Sequence, residues 1–246
     1  MSEQKPLYNT LAPLRNVSSF LTLVRRLHER RHGLPGMGCF YGPSGYGKTT
    51  ASVFAANEHQ ACVVQVKSVW TQKALCQAIL SELGVKPAKL VYEMVDQISE
   101  TLARRDVPLL IDEADHLVRK NMIEIVRDIY EGSFVPVVLI GEELLPQKLQ
   151  KWERVHGRIL SWAAAQPADE ADFRQLQKIR LPGIELDDAL AAKMVQASRG
   201  SVRRIVENLD EAREIAAVNG LRKVTVADWG KRAFFTGLAP EARRLS

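Results

Sequence analysis

GPSGYGKT, at Gly42–Thr49, is the stretch on which the reading of this chain turns. It is Gly-x-x-x-x-Gly-Lys-Thr without a gap. The apolar run Met37–Tyr41 before it reads as a buried strand, and Thr49–Ala56 after it reads as a helix. In that setting the backbone N–H groups of the loop converge on an anion at a helix N-terminus, where the macrodipole also favours negative charge. Gly42, Gly45 and Gly47 let the backbone approach the anion with no Cβ in the way. Lys48 is expected to reach the β- and γ-phosphates and the Thr49 hydroxyl to ligate Mg²⁺. Pro43, Ser44, Tyr46 and Thr50 complete the expected cofactor-binding stretch. The pattern predicts binding of a nucleoside triphosphate, ATP with Mg²⁺.

A second motif adds the chemistry of hydrolysis. Val107-Pro108-Leu109-Leu110-Ile111 is a short apolar run suited to a strand of a parallel sheet buried on both faces, and it ends in Asp112-Glu113. An aspartate at the end of such a strand, beside a phosphate loop, is placed to hold Mg²⁺. The adjacent glutamate is placed to polarise the attacking water as a general base. Glu113 and Lys48 are therefore the expected catalytic pair, and Thr49 and Asp112 the expected metal ligands.

Composition bounds the rest. The chain has 246 residues, 46% of them apolar, enough for a substantial core. Its apolar runs fall short of the roughly 20 residues of a membrane span, and MSEQKPLYNT lacks the basic-then-apolar layout of a secretory signal. The expectation is a cytoplasmic protein of a bacterial host, without a membrane partner. Cys39, Cys62 and Cys76 show no CxxC spacing and read as buried free thiols. The net charge of +5 suits a polyanionic partner, with basic residues grouped at Arg25-Arg26, Arg30-Arg31-His32, Arg104-Arg105, Arg119-Lys120, Arg203-Arg204 and Arg243-Arg244.

Along the chain, residues 1–17 read as irregular. From Ser18 or Ser19, Phe20, Leu21, Val24 and Leu27 recur at helical spacing as far as Gly33. Ala61–Lys67 reads as a strand, Thr71–Leu83 and Ala88–Arg105 as helices, then the strand ending at Asp112, a helix through about Tyr130, and Phe134–Ile140 as another buried strand. This alternation predicts an α/β fold, a parallel sheet covered by helices. Beyond about Gln166-Pro167 strands are no longer expected, and Ala171–Ile179, Leu186–Ser198, Ser201–Asn219 and Thr225–Phe235 read as helices. The expected organisation is a basic helical segment at 1–34, a nucleotide-binding α/β core at 35–166, a small all-helical lid at 167–238 and a tail at 239–246.

Two further segments carry a family resemblance. Lys151–Ile159, which includes Arg154 and Arg158, resembles the region bearing arginine fingers in AAA+ ATPases. Arg199-Gly200-Ser201-Val202-Arg203 resembles their sensor-2 motif. With the phosphate loop, these make residues 35–235 look like an AAA+ module. GPSGYGKTT, LLIDEADHL at Leu109–Leu117 and VLIGEELLPQKL at Val138–Leu149 are most similar to the transposition target-selection ATPases, the phage Mu B, TniB and TnsC group.

The resemblance implies several roles. An arginine finger, Arg158 first and Arg154 second, would act on the nucleotide of a neighbouring subunit, and Arg203 would contact the nucleotide from the lid. Self-assembly into oligomers or filaments on double-stranded DNA, and a transposase partner, are implied as well. Lys67 and Lys73 would face DNA, with Arg119 and Lys120 next; Trp70 could pack on a sugar or belong to the core. The basic helix at Arg25–Arg31 suits DNA or a neighbouring subunit. The other readings left open are a helicase loader or replication-initiation ATPase, and an ATP-gated scaffold with little hydrolysis. The chain also departs from the family. Where a neutral polar sensor 1 is expected after the fourth strand, Gly141 is followed by Glu142 and Glu143. A carboxylate there repels the γ-phosphate unless it is neutralised, so either the sensor is displaced or hydrolysis is slow. The stretch ahead of the core is also too short for the helix-turn-helix appendage of Mu B.

Overall fold

The computed structural model describes residues 14–238, which divide into two compact units, Arg15–Gln166 and a second containing residues 167–238. The tail at 239–246, with Arg243-Arg244, and the first thirteen residues lie outside the described residues.

The first unit opens with α1 (Arg15–His28), whose Val17, Phe20, Leu23, Val24 and Leu27 are buried. That is one apolar stripe at helical spacing, with the arginines on the opposite side. The helix starts at Arg15 rather than at Ser18 or Ser19, so Asn16 lies in its first turn and is itself buried. Next come β1 (Met37–Tyr41), α2 (Lys48–His59), β2 (Cys62–Gln65), α3 (Gln72–Glu82), α4 (Val91–Arg105) and β3 (Leu109–Asp112). They are followed by α5 (Asp115–Arg119), α6 (Ile123–Ser133), β4 (Val137–Gly141), α7 (Leu145–Leu149), α8 (Glu153–His156) and β5 (Ile159–Ala164).

Among the described residues the main sheet has five strands in the order β2-β3-β4-β1-β5, every adjacent pair parallel. All of β3 and β4 is buried, which is why both read as continuous apolar runs: helices cover both faces. The register pairs Tyr41 with Gly141 and Ile111 with Leu139, so β1, β3 and β4 deliver their carboxyl ends to one edge of the sheet. In a doubly covered parallel sheet that edge is where ligands bind.

Three expectations are corrected here. The strand β5 was not foreseen; its six residues, ILSWAA, are all half-buried, and such an edge strand lacks the run of branched apolar residues that marks a central one. The helix expected from Asp112 to Tyr130 is two helices, α5 and α6, because Asn121 adopts a left-handed conformation (φ 54°) between them, a state that asparagine tolerates. Strands also do not stop at Gln166.

The second unit contains α9 (Glu170–Arg180), β6 (Glu185–Leu186), α10 (Asp188–Ser198), α11 (Val202–Asn219), β7 (Lys223–Val224) and α12 (Val226–Trp229). Two-residue strands β6 and β7 pair in parallel and tie the segment before α10 to the segment after α11. The helix expected through Phe235 ends at Trp229, where Gly230 takes φ 64°. From there the chain returns to α11: Phe235 N–H donates to Asn208 Oδ1 (2.8 Å) and Asn208 Nδ2 donates to the Phe235 carbonyl (3.1 Å).

No helix among the described residues is long and apolar enough to cross a membrane. Cys39, Cys62 and Cys76 are free and buried, as their spacing implied. Burial pushes the Cys62 thiol up to about 12 and the Cys76 thiol to about 11. These thiols pack as apolar groups, and burial disfavours their thiolate form.

The packing that seats α1 is testable. Phe20 is fully buried and meets Phe40 of β1 edge to face, ring centroids 5.0 Å apart. Phe20→Ala is expected to cost about 3–5 kcal/mol of unfolding free energy in a urea titration.

Candidate active site

The site is built on the sheet edge where β1, β3 and β4 end. After Tyr41 the chain turns through Gly45 and Gly47, at φ 84° and 80°, and enters α2 directly. Positive φ at both positions is why glycine stands there, and it leaves the N–H groups at the start of α2 to face an anion. Lys48 Nζ donates to the carbonyls of Gly42 (2.7 Å) and Pro43 (2.9 Å), placing the ammonium within the curve of the loop. Burial is the main influence on Lys48 and lowers its pKa, while Asp112, Glu113, Asp115 and Glu142 act in the opposite direction. Four carboxylates therefore lie within electrostatic reach of the lysine that would meet phosphate.

Across the loop, the Thr49 hydroxyl donates to Asp112 Oδ2 at 2.8 Å, joining residues 63 positions apart. This hydroxyl–carboxylate pair is the donor set that Mg²⁺ accepts, hard oxygens with room for phosphate oxygens and water. Among the described residues there is no cluster of three or more His, Cys, Asp or Glu side chains able to hold a metal without a ligand's help. A nucleotide-borne Mg²⁺ fits that arrangement. Thr49 and Asp112 are the residues that would hold it.

Asp112 Oδ1 accepts from the Glu113 N–H at 2.9 Å, and Glu113 sits at φ 57°. A left-handed glutamate costs on the order of 1 kcal/mol, a strain typical of residues held for function. Glu113 is half-exposed beside the buried Asp112.

Three contributors were not foreseen from the sequence. Asn16, 4% exposed, donates through Nδ2 to the carbonyls of Tyr46 (2.8 Å) and Gln166 (2.7 Å) and accepts the Gln166 N–H at Oδ1 (2.8 Å). One amide thus fastens the crest of the phosphate loop to the end of the sheet domain. The other two are Asp115 and Lys148. Asp115 is buried; its Oδ2 accepts the Glu142 N–H at 2.6 Å, and its Oδ1 accepts from Lys148 Nζ at 2.6 Å. Lys148 also pairs with Glu142 Oε2 at 3.2 Å. The hydrogen bond to Asp115 holds the Lys148 ammonium above its ordinary pKa. Glu142 therefore shares one ammonium with Asp115, so the carboxylate that stands where a neutral sensor 1 is expected is ion-paired. The packing also requires Gly141, since a Cβ there would lie 2.3 Å from Asp115 Oδ2. A buried aspartate in a helix N-terminal turn reads as a cap, so the sequence carried no separate signal for this cluster.

The remaining foreseen residues fall elsewhere. Arg158 is at the opposite end of the sheet, its carbonyl accepting the N–H of Met37, the first residue of β1. Its guanidinium pairs with Glu131 at 2.6 Å, and Arg154 is exposed. Neither arginine is brought to the phosphate loop of its own chain. Arg203 is exposed in the first turn of α11, behind the Ser201 cap. Lys67 and Lys120 converge on Trp70: the Lys67 ammonium lies 6.0 Å from the ring centroid, and Lys120 Nζ donates to the Trp70 carbonyl at 3.0 Å. Lys73 and Lys120 line one open cleft with Trp70, whereas Arg119 is exposed outside its lining. Trp70 is half-buried against the apolar core. The helix expected as far as Gly33 ends at His28, and Arg30, just beyond it, is committed to its own chain, donating to the carbonyls of Leu27 and Phe134.

The profile of a family described as AAA domain matches residues 30–149. Residues 30–149 are an AAA-type ATPase domain. Solved structures share its architecture. Orc1 of Aeropyrum pernix, solved in complex with DNA, superposes at TM-score 0.63 with 19% identity over 91% of this chain and 65% of its own. The RuvB Holliday junction branch migration motor of Thermotoga maritima superposes at 0.58 with 21% identity, over 87% and 66%. Domain III of the T. maritima replication initiation protein DnaA superposes at 0.57 with 18% identity, over 92% and 95%. The chain thus spans less than two thirds of the Orc1 and RuvB chains. No curated protein matches it in sequence. At these identities the superpositions establish the fold, a P-loop AAA+ fold. AAA domains as a class bind and hydrolyse nucleotides.

The role of Asn16 is testable. Asn16→Ala leaves the Tyr46 and Gln166 groups without a buried partner, at about 1–3 kcal/mol for each unsatisfied group. A weaker Kd for ATP by calorimetry, together with a lower melting temperature, is the expected result.

Proposed function

We propose that this protein is an ATPase that binds double-stranded DNA without sequence preference, assembles on it with copies of itself, and selects target DNA for a transposase. The observation that carries the nucleotide chemistry is the Thr49–Asp112 hydrogen bond, which joins the phosphate loop to the acidic end of β3 beside Glu113. Lys48 would orient the γ-phosphate, and Glu113 would take a proton from the attacking water. Bound Mg²⁺ would neutralise charge on the phosphate oxygens. Arg158, at the far end of its own β1, would serve a neighbouring subunit's nucleotide; it would have to leave Glu131 to do so. Arg203 would report the nucleotide state to the second unit.

For DNA, support comes from Lys73 and Lys120, which line one open cleft with Trp70, and from Lys67 near the Trp70 ring, a grouping of cations that suits phosphates rather than base edges. Orc1 was solved with DNA and RuvB is a branch migration motor, so this fold is compatible with DNA work. The transposition role rests on the resemblance of GPSGYGKTT, LLIDEADHL and VLIGEELLPQKL to the target-selection group.

Electron microscopy with duplex DNA in the presence of ATP or ADP tests the reading. ATP-dependent filaments on DNA, long-lived in Glu113→Gln because turnover is blocked, are expected. Closed rings that load a helicase, or no association with DNA, would replace the transposition role with a loader or remodelling role. Normal turnover by Glu113→Gln would remove Glu113 as the base.

The DNA face has its own check. Alanine at Lys67, Lys73 and Lys120 is expected to weaken duplex binding equally for all sequences. The slope of log K against log salt should become shallower by about 0.9 for each DNA phosphate that is no longer neutralised. An unchanged slope would place the DNA on another surface.

A further inference from the structure

A phosphate site ringed by carboxylates presents an electrostatic difficulty. Asp112, Glu113, Asp115 and Glu142 all act on Lys48. Asp112 would be offset by the metal that it helps to hold, and Glu113 would have to stay ionised to act as a base. Asp115 and Glu142 have neither justification, yet they adjoin the loop: the Gly42 N–H donates to the carbonyl of Gly141, the residue before Glu142 (3.3 Å), and the Ala114 N–H, just before Asp115, donates to the carbonyl of Ile140 (2.9 Å). The triphosphate tail would arrive as a polyanion where two surplus negative charges already lie, and juxtaposed like charges cost several kcal/mol.

Among the described residues, Lys148 is the side chain that meets both. Its ammonium is 2.6 Å from Asp115 Oδ1 and 3.2 Å from Glu142 Oε2. The geometry is anchored: Asp115 is 2% exposed at its side chain, its second oxygen is occupied by the Glu142 N–H, and it packs so closely on Gly141 that a Cβ there would lie 2.3 Å from that oxygen. Lys148 itself belongs to α7, in the LLPQKL segment that follows the Glu142-Glu143 pair.

Resting on the nucleotide-binding reading above, we infer that Lys148 is a positioning residue for the γ-phosphate: it holds Glu142 against Asp115, offsets one of their two negative charges toward the phosphate loop, and thereby lets a carboxylate occupy the place after β4 where a neutral polar side chain is expected. Lys148 touches no reacting atom in this role; it acts through Glu142 and Asp115. Its effect falls mainly on the terminal phosphate, because the α- and β-phosphates are met by the loop's own N–H groups. It also explains how Glu142 can stand at this position without excluding ATP.

The experiment compares ATP and ADP binding by calorimetry at low and high salt in the full chain. For Lys148→Met, the ATP Kd is expected to rise about tenfold or more, as freed like charges require, with ADP much less affected and the loss shrinking as salt is raised. Adding Glu142→Gln to Lys148→Met should recover most of the ATP affinity, and Lys148→Arg should keep it. Equal losses of ATP and ADP affinity, or no recovery with Glu142→Gln, would reduce Lys148 to a structural ion-pair partner and overturn the inference. If Lys148→Met alone fails to fold because Asp115 is stranded, Asp115→Asn with Lys148→Met removes the buried carboxylate together with its lysine partner and leaves Glu142 unopposed. That double variant is expected to lose ATP affinity selectively, and wild-type binding by it would equally overturn the inference. A wild-type protein that binds neither nucleotide would instead refute the phosphate-loop reading, an outcome separate from all of these.

Discussion

The structure depends on one constraint: a parallel sheet whose central strands are buried on both faces and whose carboxyl ends finish level. Because Tyr41 pairs with Gly141 and Ile111 with Leu139, the loops leaving β1, β3 and β4 emerge side by side. The Thr49–Asp112 hydrogen bond closes the gap between two of them. Were the register of β3 shifted by one residue, Asp112 would move to the other face of the sheet and that bond could not form. The apolar packing of β1, β3 and β4 therefore does more than stabilise the fold. It sets the distance between a phosphate loop and an acidic strand end.

Around that frame the charge is distributed by connections that act at a distance along the chain. Asn16 ties the loop crest at Tyr46 to Gln166, where the first unit ends, so α1 braces the candidate site, a part that its basic residues and apolar stripe do not announce. Asp115, Glu142 and Lys148 form an ion-paired group beside the same loop, two carboxylates sharing one ammonium. The site is thus acidic in composition and only partly offset by Lys148, whose pair with Asp115 has one buried end (2% exposed) and one end that reaches solvent (35% exposed).

The opposite end of the sheet holds the arginine set. Arg158 and Glu131 pair there, and Arg30 braces the α6–β4 turn through the Phe134 carbonyl. The separation along β1 between this end and the phosphate loop, roughly 13 Å for four residue steps, means that one chain has no arginine at its own phosphate from this segment. That spacing is why assembly belongs in the proposed function rather than a self-sufficient monomer.

The parts of the site legible in the sequence were those carried by short contiguous stretches. Gly42–Thr49 states its own chemistry because the glycines, Lys48 and Thr49 act within one turn of backbone. Asp112-Glu113 is legible because a buried strand must end where an acidic pair begins. Much of the sheet was equally readable, since strands buried on both faces must be apolar throughout. Tertiary structure alone decided the rest: β5, whose edge position relaxes that demand; the left-handed Asn121 that splits α5 from α6; the meeting of Lys67 and Lys120 at Trp70; and the pairing of Lys148 with a carboxylate 33 residues earlier. The difference is physical. Backbone anion binding and strand burial are local demands that residue type must satisfy in place, whereas a polar side chain's partner is whichever group the folded chain brings within about 3 Å, and nothing in the local sequence specifies which one that is.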